Sequence, residues 1–241
     1  MIKAALKKVL RRYGYDVIPY PLDDWYLLRA ATLEVFGSLQ IDCVIDVGAN
    51  RGQYGSFLRD IGYQGRIVSF EPISSMFQVI SARAADDPNW QVHQLAVGAA
   101  PAELEIHVSS KEQFSSFLPV NKYGNEQFAE AAVTRTEKVP VVRLDSMIDQ
   151  IVAGMNNPRL YLKLDTQGFD LQALEGASGC LDRILGLQSE VAIQPIYEGM
   201  PDYIASFTRF NSLGFTISAL VPVTRDEKLR VIEYDCLMVR S

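Results

Sequence analysis

The chain has 241 residues, 48% of them hydrophobic and 22% charged, with a formal net charge of −6 at pH 7. That length holds one large domain or two small ones, and the composition can bury a substantial core, which excludes a disordered chain. A net acidic surface repels a phosphate backbone and so argues against general nucleic-acid binding.

The first segment, MIKAALKKVLRRYGY, breaks the acidic average with Lys3, Lys7, Lys8, Arg11 and Arg12 and no acid. Ile2, Leu6, Val9 and Leu10 fall near helical spacing. Such a helix either packs on the domain with a solvated basic face or makes weak peripheral contact with an anionic membrane. It lacks the cleavage pattern of a secretory signal, and no apolar run in the chain nears the roughly 18 residues of a bilayer span. The expected location is cytoplasmic.

DDWYLLRAATLEVFGSL follows as a helix, with Trp25, Leu28, Ala31 and Leu33 toward a core. Residues 1–38 thus form a helical extension and residues 39–241 the core of a single domain. CVIDV is a strand, GQYGSFLRDIGY a helix, RIVSFEP a strand, SSMFQVISARAADD a helix and WQVHQLAVG a strand. AELEIHVSS alternates apolar and polar residues, as an edge strand does. Residues 111–137 are polar and irregular and read as a long loop or lid, since loops of that length are otherwise uncommon in compact domains.

EKVPVVRLDSMIDQIV is a short strand leading into a helix. RLYLKLD is a strand, DLQALEGASGCL a helix, RILGLQSEVAI a strand, and MPDYIASFTRFNSLG a helix closing at Gly214. FTISALVPV and LRVIEYDCLMVRS end the chain as a pair of strands. Strands alternating with helices predict a mostly parallel sheet covered on both faces, and the final pair implies an antiparallel strand at its edge. Cys43, Cys180 and Cys236 read as reduced core thiols rather than a disulfide framework. With only His93 and His107 present, a histidine-rich zinc site has too few ligands.

In open α/β sheets, ligands bind beyond the carboxyl ends of the strands. VIDVGANRGQYG places Asp46 and the turn from Gly48 to Gly52 at such an end, where glycine lets backbone approach a ligand. Glu71 ends the next strand, where a carboxylate can accept both hydroxyl hydrogens of a ribose. A dinucleotide turn requires a glycine where this chain has Asn50, and no phosphate loop for ATP or GTP is present. Asp46 is unfavourable beside a pyrophosphate and suits a cofactor with an amino group and a sulfonium, both of which S-adenosylmethionine has.

VIDVGANRGQYG, IVSFEP and LKLDTQGFDLQALEGA, in this order, resemble the FkbM family of S-adenosylmethionine-dependent methyltransferases over roughly residues 40–220. The third motif is the most specific, and SEVAIQPIYEG follows it. The family more commonly has an acid at the position of Gln167, a departure that bears on the acid–base role of that position. The resemblance implies a Rossmann-like class I methyltransferase fold with a seven-stranded sheet, and O-methylation of a hydroxyl, often on a sugar or polyketide. It carries Asp46, Gly48, Asn50 and Gly52 to the methionine end of the cofactor, Glu71 to the ribose, and Ala96 to the neighbourhood of the adenine. Tyr54 completes the expected cofactor-binding set.

A hydroxyl is a poor nucleophile until a base, metal or strong hydrogen bond takes up its proton. Lys163 and Asp165 share one face of a strand whose carboxyl end lies beside the methyl donor. Glu190 nearly ends the next strand, with Tyr197 and Glu198 beyond. The expected roles are Asp165 as base or orienting carboxylate, Lys163 fixing its charge, and Glu190 and Glu198 positioning the acceptor. The plainer reading is a buried ion-pair network holding strands together. Asp165 and Glu190 could share Mg²⁺, but without a clear third ligand no metal is predicted. Ser115 and Ser116, and the aromatics Phe114, Phe117, Tyr123 and Phe128, fit either an acceptor-side lid or ordinary loop residues. The expected partner is a small-molecule or glycan acceptor. The alternatives are an NAD-type oxidoreductase, which lacks its Tyr-x-x-x-Lys pair here, and a non-catalytic nucleoside-binding domain.

Overall fold

The computed structural model describes residues 25–240 and, ahead of them, Leu10. Leu10 apart, the basic segment 1–14 lies outside the described residues, as does the side chain of Trp25. Helix α1 (Trp25–Leu39) buries Leu28, Thr32, Val35 and Phe36, which recur at helical spacing on one face. Leu33, expected inward, falls on the opposite side and is 44% exposed, because the buried stripe passes through Thr32 instead. Gln40 ends the helix in the left-handed conformation, with its N–H on the Gly37 carbonyl and that of Ile41 on Phe36.

The chain continues through β1 (Cys43–Val47), α2 (Gln53–Asp60), β2 (Arg66–Phe70), α3 (Ser74–Ala84), β3 (Trp90–His93), β4 (Ala96–Val97), β5 (Ala102–Ser109) and α4 (Lys122–Gln127). It then forms β6 (Val133–Val142), α5 (Ile148–Ile151), β7 (Leu160–Leu164), α6 (Asp170–Glu175), β8 (Ile184–Ala192), α7 (Tyr203–Ser212), β9 (Phe215–Arg225) and β10 (Val231–Arg240). Seven strands make one sheet in the order β3-β2-β1-β7-β8-β10-β9. The first five are parallel, and β10 runs antiparallel to both β8 and β9. This is the class I methyltransferase arrangement, with the antiparallel pair at one edge.

β1 and β7 are buried along their whole length, so both faces must be covered. Alternation does the sorting. Cys43, Ile45 and Val47 join Leu162, Leu187, Leu174 and Phe210 on one face. Val44 joins Ile67, Tyr161, Phe36, Leu58 and Ile80 on the other. The three cysteines are buried and free. No helix among the described residues is long and apolar enough to cross a membrane.

Two further expectations are corrected. The stretch from Trp90 to Val97 is not one strand: Trp90–His93 pairs with β2, and Ala96–Val97 leaves the main sheet to pair with β6. β4, β6 and β5 form a separate three-stranded sheet in that order, with β5 at an edge. Residues 111–137 are not an irregular loop, because their aromatic side chains turn inward. Phe114, Tyr123 and Phe128 pack against Ile196, Tyr197 and Met200, which orders two short 3-10 turns, α4 and the start of β6.

Candidate active site

The strand order reverses between β1 and β7, and a cavity of about 360 Å³ opens at their carboxyl ends. The turn after β1 runs through three residues at positive φ, Gly48 at 78°, Asn50 at 49° and Gly52 at 80°. A Cβ on Gly48 would stand 1.9 Å from the carbonyl oxygen of Asp165, so two backbones touch where the strands part. Gly52 has a different constraint: a Cβ there would meet Ile80 at 2.8 Å and the Trp90 ring at 3.2 Å. Gly48, Asn50 and Tyr54 line the cavity, whereas Gly52 lies in the packing behind it.

Asp46 lies under the cavity, fully buried. Its Oδ2 accepts from Ser69 Oγ at 3.2 Å, and Ser69 Oγ accepts from Trp90 Nε1 at 3.0 Å. Its Oδ1 is 3.3 Å from Lys163 Nζ, on the neighbouring strand. Burial pushes the Asp46 carboxyl up, and Lys163 opposes that shift. Lys163 also stands 3.1 Å from Asp165 Oδ2 and 5.3 Å from the centre of the Tyr54 ring. Burial alone would pull its ammonium down, but Asp165 and Asp46 outweigh burial and raise it. Lys163 is a fixed positive charge.

Glu71 takes a backbone N–H on each oxygen, from Asn50 at 2.7 Å and from Ile73 at 2.8 Å. Each oxygen keeps a second lone pair, and the side chain borders the cavity. Burial raises its pKa to about 7 against the pull of those two N–H groups. Ala96 borders the same end, with Leu95, Ile106 and Phe117 making an apolar wall. An acid for hydroxyl donors beside an apolar slot is what a nucleoside requires, and carboxylates further in suit a sulfonium, so these residues fit S-adenosylmethionine.

At the β7 end, Gln167 is the hub. Held at φ 52°, it donates from Nε2 to Asp165 Oδ1 at 3.1 Å and to Glu190 Oε2 at 2.8 Å. Its Oε1 accepts from the Tyr197 hydroxyl at 2.9 Å, and its carbonyl accepts from Ser116 Oγ at 2.6 Å. Asp165 is therefore held on both oxygens, by Lys163 and by Gln167, while its side chain stays 37% exposed. Residues 111–118 close one side of the cavity, tied by Ser116 and by Arg51, whose Nη2 lies 3.1 Å from both oxygens of Glu112. Ser115 and Ser116 are buried structural donors and acceptors. Glu198 is exposed and does not border the cavity.

Gln188, Glu233 and Asp235 were not picked out from the sequence, and Gln167 was noted only as a departure from the family pattern. Tyr54 donates its hydroxyl to Gln188 Oε1 at 3.0 Å, and Gln188 Nε2 donates to Asp235 Oδ1 at 2.9 Å. Glu233 and Asp235 reach the cavity because β10 lies antiparallel to β8, with Asp235 opposite Glu190. Two acids at alternate positions of an otherwise apolar terminal strand are the signal that could have found them. No group of three His, Cys, Asp or Glu side chains among the described residues has the arrangement to hold a metal ion.

Distant structural likenesses accompany this geometry. Fibrillarin from Aeropyrum pernix, solved with natively bound S-adenosyl-L-methionine, is 13% identical, with 90% of this chain and 76% of that chain covered and a TM-score of 0.48. An rRNA methylase from Streptococcus thermophilus is 12% identical over 90% of this chain and 96% of that one, at a TM-score of 0.44. The bifunctional kinase-methyltransferase WbdD is 12% identical over 90% and 40%, at 0.47. At these values the likenesses say nothing of the acceptor. No curated protein matches the chain. Residues 46–215, from Asp46 of β1 to the start of β9, match the family described as Methyltransferase FkbM domain. The chain belongs to the FkbM family of S-adenosylmethionine-dependent methyltransferases.

Proposed function

We propose that the protein is an O-methyltransferase acting on a hydroxyl of a sugar, glycan or related natural product, with Asp165 as its base or orienting carboxylate. One observation carries this reading: Asp165 is anchored on both oxygens yet still presents a partly exposed carboxylate at the inner end of the nucleoside slot. When bound, S-adenosylmethionine supplies a methyl carbon on a positively charged sulfur, and an in-line displacement leaves neutral S-adenosylhomocysteine. Asp165 takes the proton from the acceptor oxygen as that oxygen bonds to the methyl carbon, and passes it to solvent. Lys163 orients Asp165, and Gln167 couples its position to Glu190. A wall of amide and carboxyl groups supports a polyhydroxylated acceptor, because each group can exchange hydrogen bonds with a hydroxyl.

The site assignment extends to Glu71 holding the ribose and to Gly48 and Asn50 backing the methionine end. Calorimetry with S-adenosylhomocysteine and NAD tests the cofactor, and micromolar binding of the first alone is expected. Turnover on a panel of hydroxyl acceptors, with Asp165→Asn as the comparison, tests the chemistry. Methyl transfer to nitrogen but never to oxygen would overturn the O-methylation reading.

A further inference from the structure

Past Asp165 the cavity continues to a wall formed by Glu190 of β8 and Glu233 and Asp235 of β10. These side chains share the sheet face that carries Asp46 and Lys163. Among the described residues Lys163 is the cation at that end, and it is already engaged by Asp165 and Asp46. Among the described residues, Glu190 and Asp235 each receive a neutral amide, from Gln167 and Gln188. Glu233 is 5% exposed, and its Oε1 is buried without a hydrogen-bond partner among the described residues. Three carboxyl groups thus line one cavity with no ion-pair partner among the described residues, an arrangement costly to fold and expected where a ligand completes it.

We propose that this wall receives a protonated amine of the acceptor, so that the hydroxyl methylated beside Asp165 belongs to a molecule that also carries an ammonium group. The inference rests on the methyl-transfer reading of the cavity. An ammonium brings three N–H donors, which the carboxyl groups of this wall can accept. Burial first, then neighbouring carboxylates (Glu233 beside Glu190, Asp165 beside Glu233), push both groups up, Glu233 to about 7, which a bound cation would reverse.

The test uses the full chain saturated with S-adenosylhomocysteine and titrated with glucosamine, glucose and N-acetylglucosamine. Glucosamine is expected to bind about tenfold or more tighter than either neutral sugar, the scale of one charge-assisted hydrogen bond. Glu233→Gln, shown to be folded by its thermal melt, is expected to bring the three sugars to parity. Equal affinities in the native protein, no binding of glucosamine, or an unchanged preference in Glu233→Gln would overturn the proposal. Displacement of glucosamine by millimolar Mg²⁺ or K⁺ would assign the wall to an inorganic cation and overturn it too. Failure of S-adenosylhomocysteine to bind would instead bring down the methyl-transfer reading itself.

Discussion

Asn50 donates its backbone N–H to Glu71 Oε2 at 2.7 Å, so the turn after β1 and the acid after β2 form one hydrogen-bonded unit. The left-handed conformation of Asn50 aims that N–H, and the acid in turn holds the turn open beside the cavity.

Replacing Glu71 with alanine removes the proposed ribose acceptor and leaves the N–H groups of Asn50 and Ile73 without their partner. Affinity for S-adenosylhomocysteine should fall roughly 10- to 100-fold, the range of a hydrogen bond to a charged group. Isothermal titration reads this directly. An unchanged Kd would remove Glu71 from the cofactor site.

Gly48→Ala should be far more destabilising than Gly62→Ala, although both glycines have positive φ, 78° and 97°. At Gly62 no atom lies within 4 Å of the added methyl, so only backbone strain of about 1–2 kcal/mol applies. At Gly48 the methyl overlaps the Asp165 carbonyl, and β1 must move from β7, for roughly 3 kcal/mol or more. Urea denaturation of the two variants makes the comparison. Similar losses would mean that the β1–β7 contact is soft.

Lys163 and Asp165 should separate stability from turnover. Lys163→Met leaves the buried Asp46 without its counter-charge and should cost about 3–5 kcal/mol of folding stability. Asp165→Asn keeps the shape and the contact with Gln167, and Lys163 keeps Asp46, so it should lower the melt less than Lys163→Met does while kcat drops about 100-fold or more. If Asp165→Asn lowers the melt and spares kcat, the pair is structural.

The ligand-free protein should lose stability as pH rises from 5 to 8. Burial holds Glu71 and Glu233 at about 7 and Asp235 at about 6, against 4.5 and 3.8 for the ordinary groups. The unfolded chain releases these protons near its ordinary values, so through this window the folded state binds more protons. Its stability therefore falls with pH until the folded groups have titrated. Asp87 and Asp145, held low mainly by Arg59 and Arg143, are ionised in both states above pH 5 and do not contribute there. Thermal melts across this range should show the fall, with a shallower slope in Glu71→Gln and in Glu233→Gln. A slope unaltered by both would show that neither carboxyl is held protonated.

Much of the architecture could be read locally. The strand-then-helix alternation, the acid and glycines after CVIDV and the acid after RIVSF each follow from residues a few positions apart, which is the range over which periodicity and turn chemistry act. The break after His93 could not be read this way. The apolar character of Leu95, Ala96 and Val97 continues the strand pattern, and only pairing with Val141 and Val142 shows which sheet they join. The polar look of residues 111–137 likewise hid the aromatic contacts that order them.

By itself, the sequence determined the parallel α/β sheet, the family, and the carboxylates and glycines at the ends of β1, β2 and β7, because motif spacing and side-chain alternation are properties of contiguous chain. Tertiary structure alone decided that Asp46 lies beneath the cavity, that Gln167 joins Asp165 to Glu190, and that Glu233 and Asp235 arrive from the last strand. Those juxtapositions depend on strand order and register. Pairing across the sheet sets them, and no local stretch of residues encodes it.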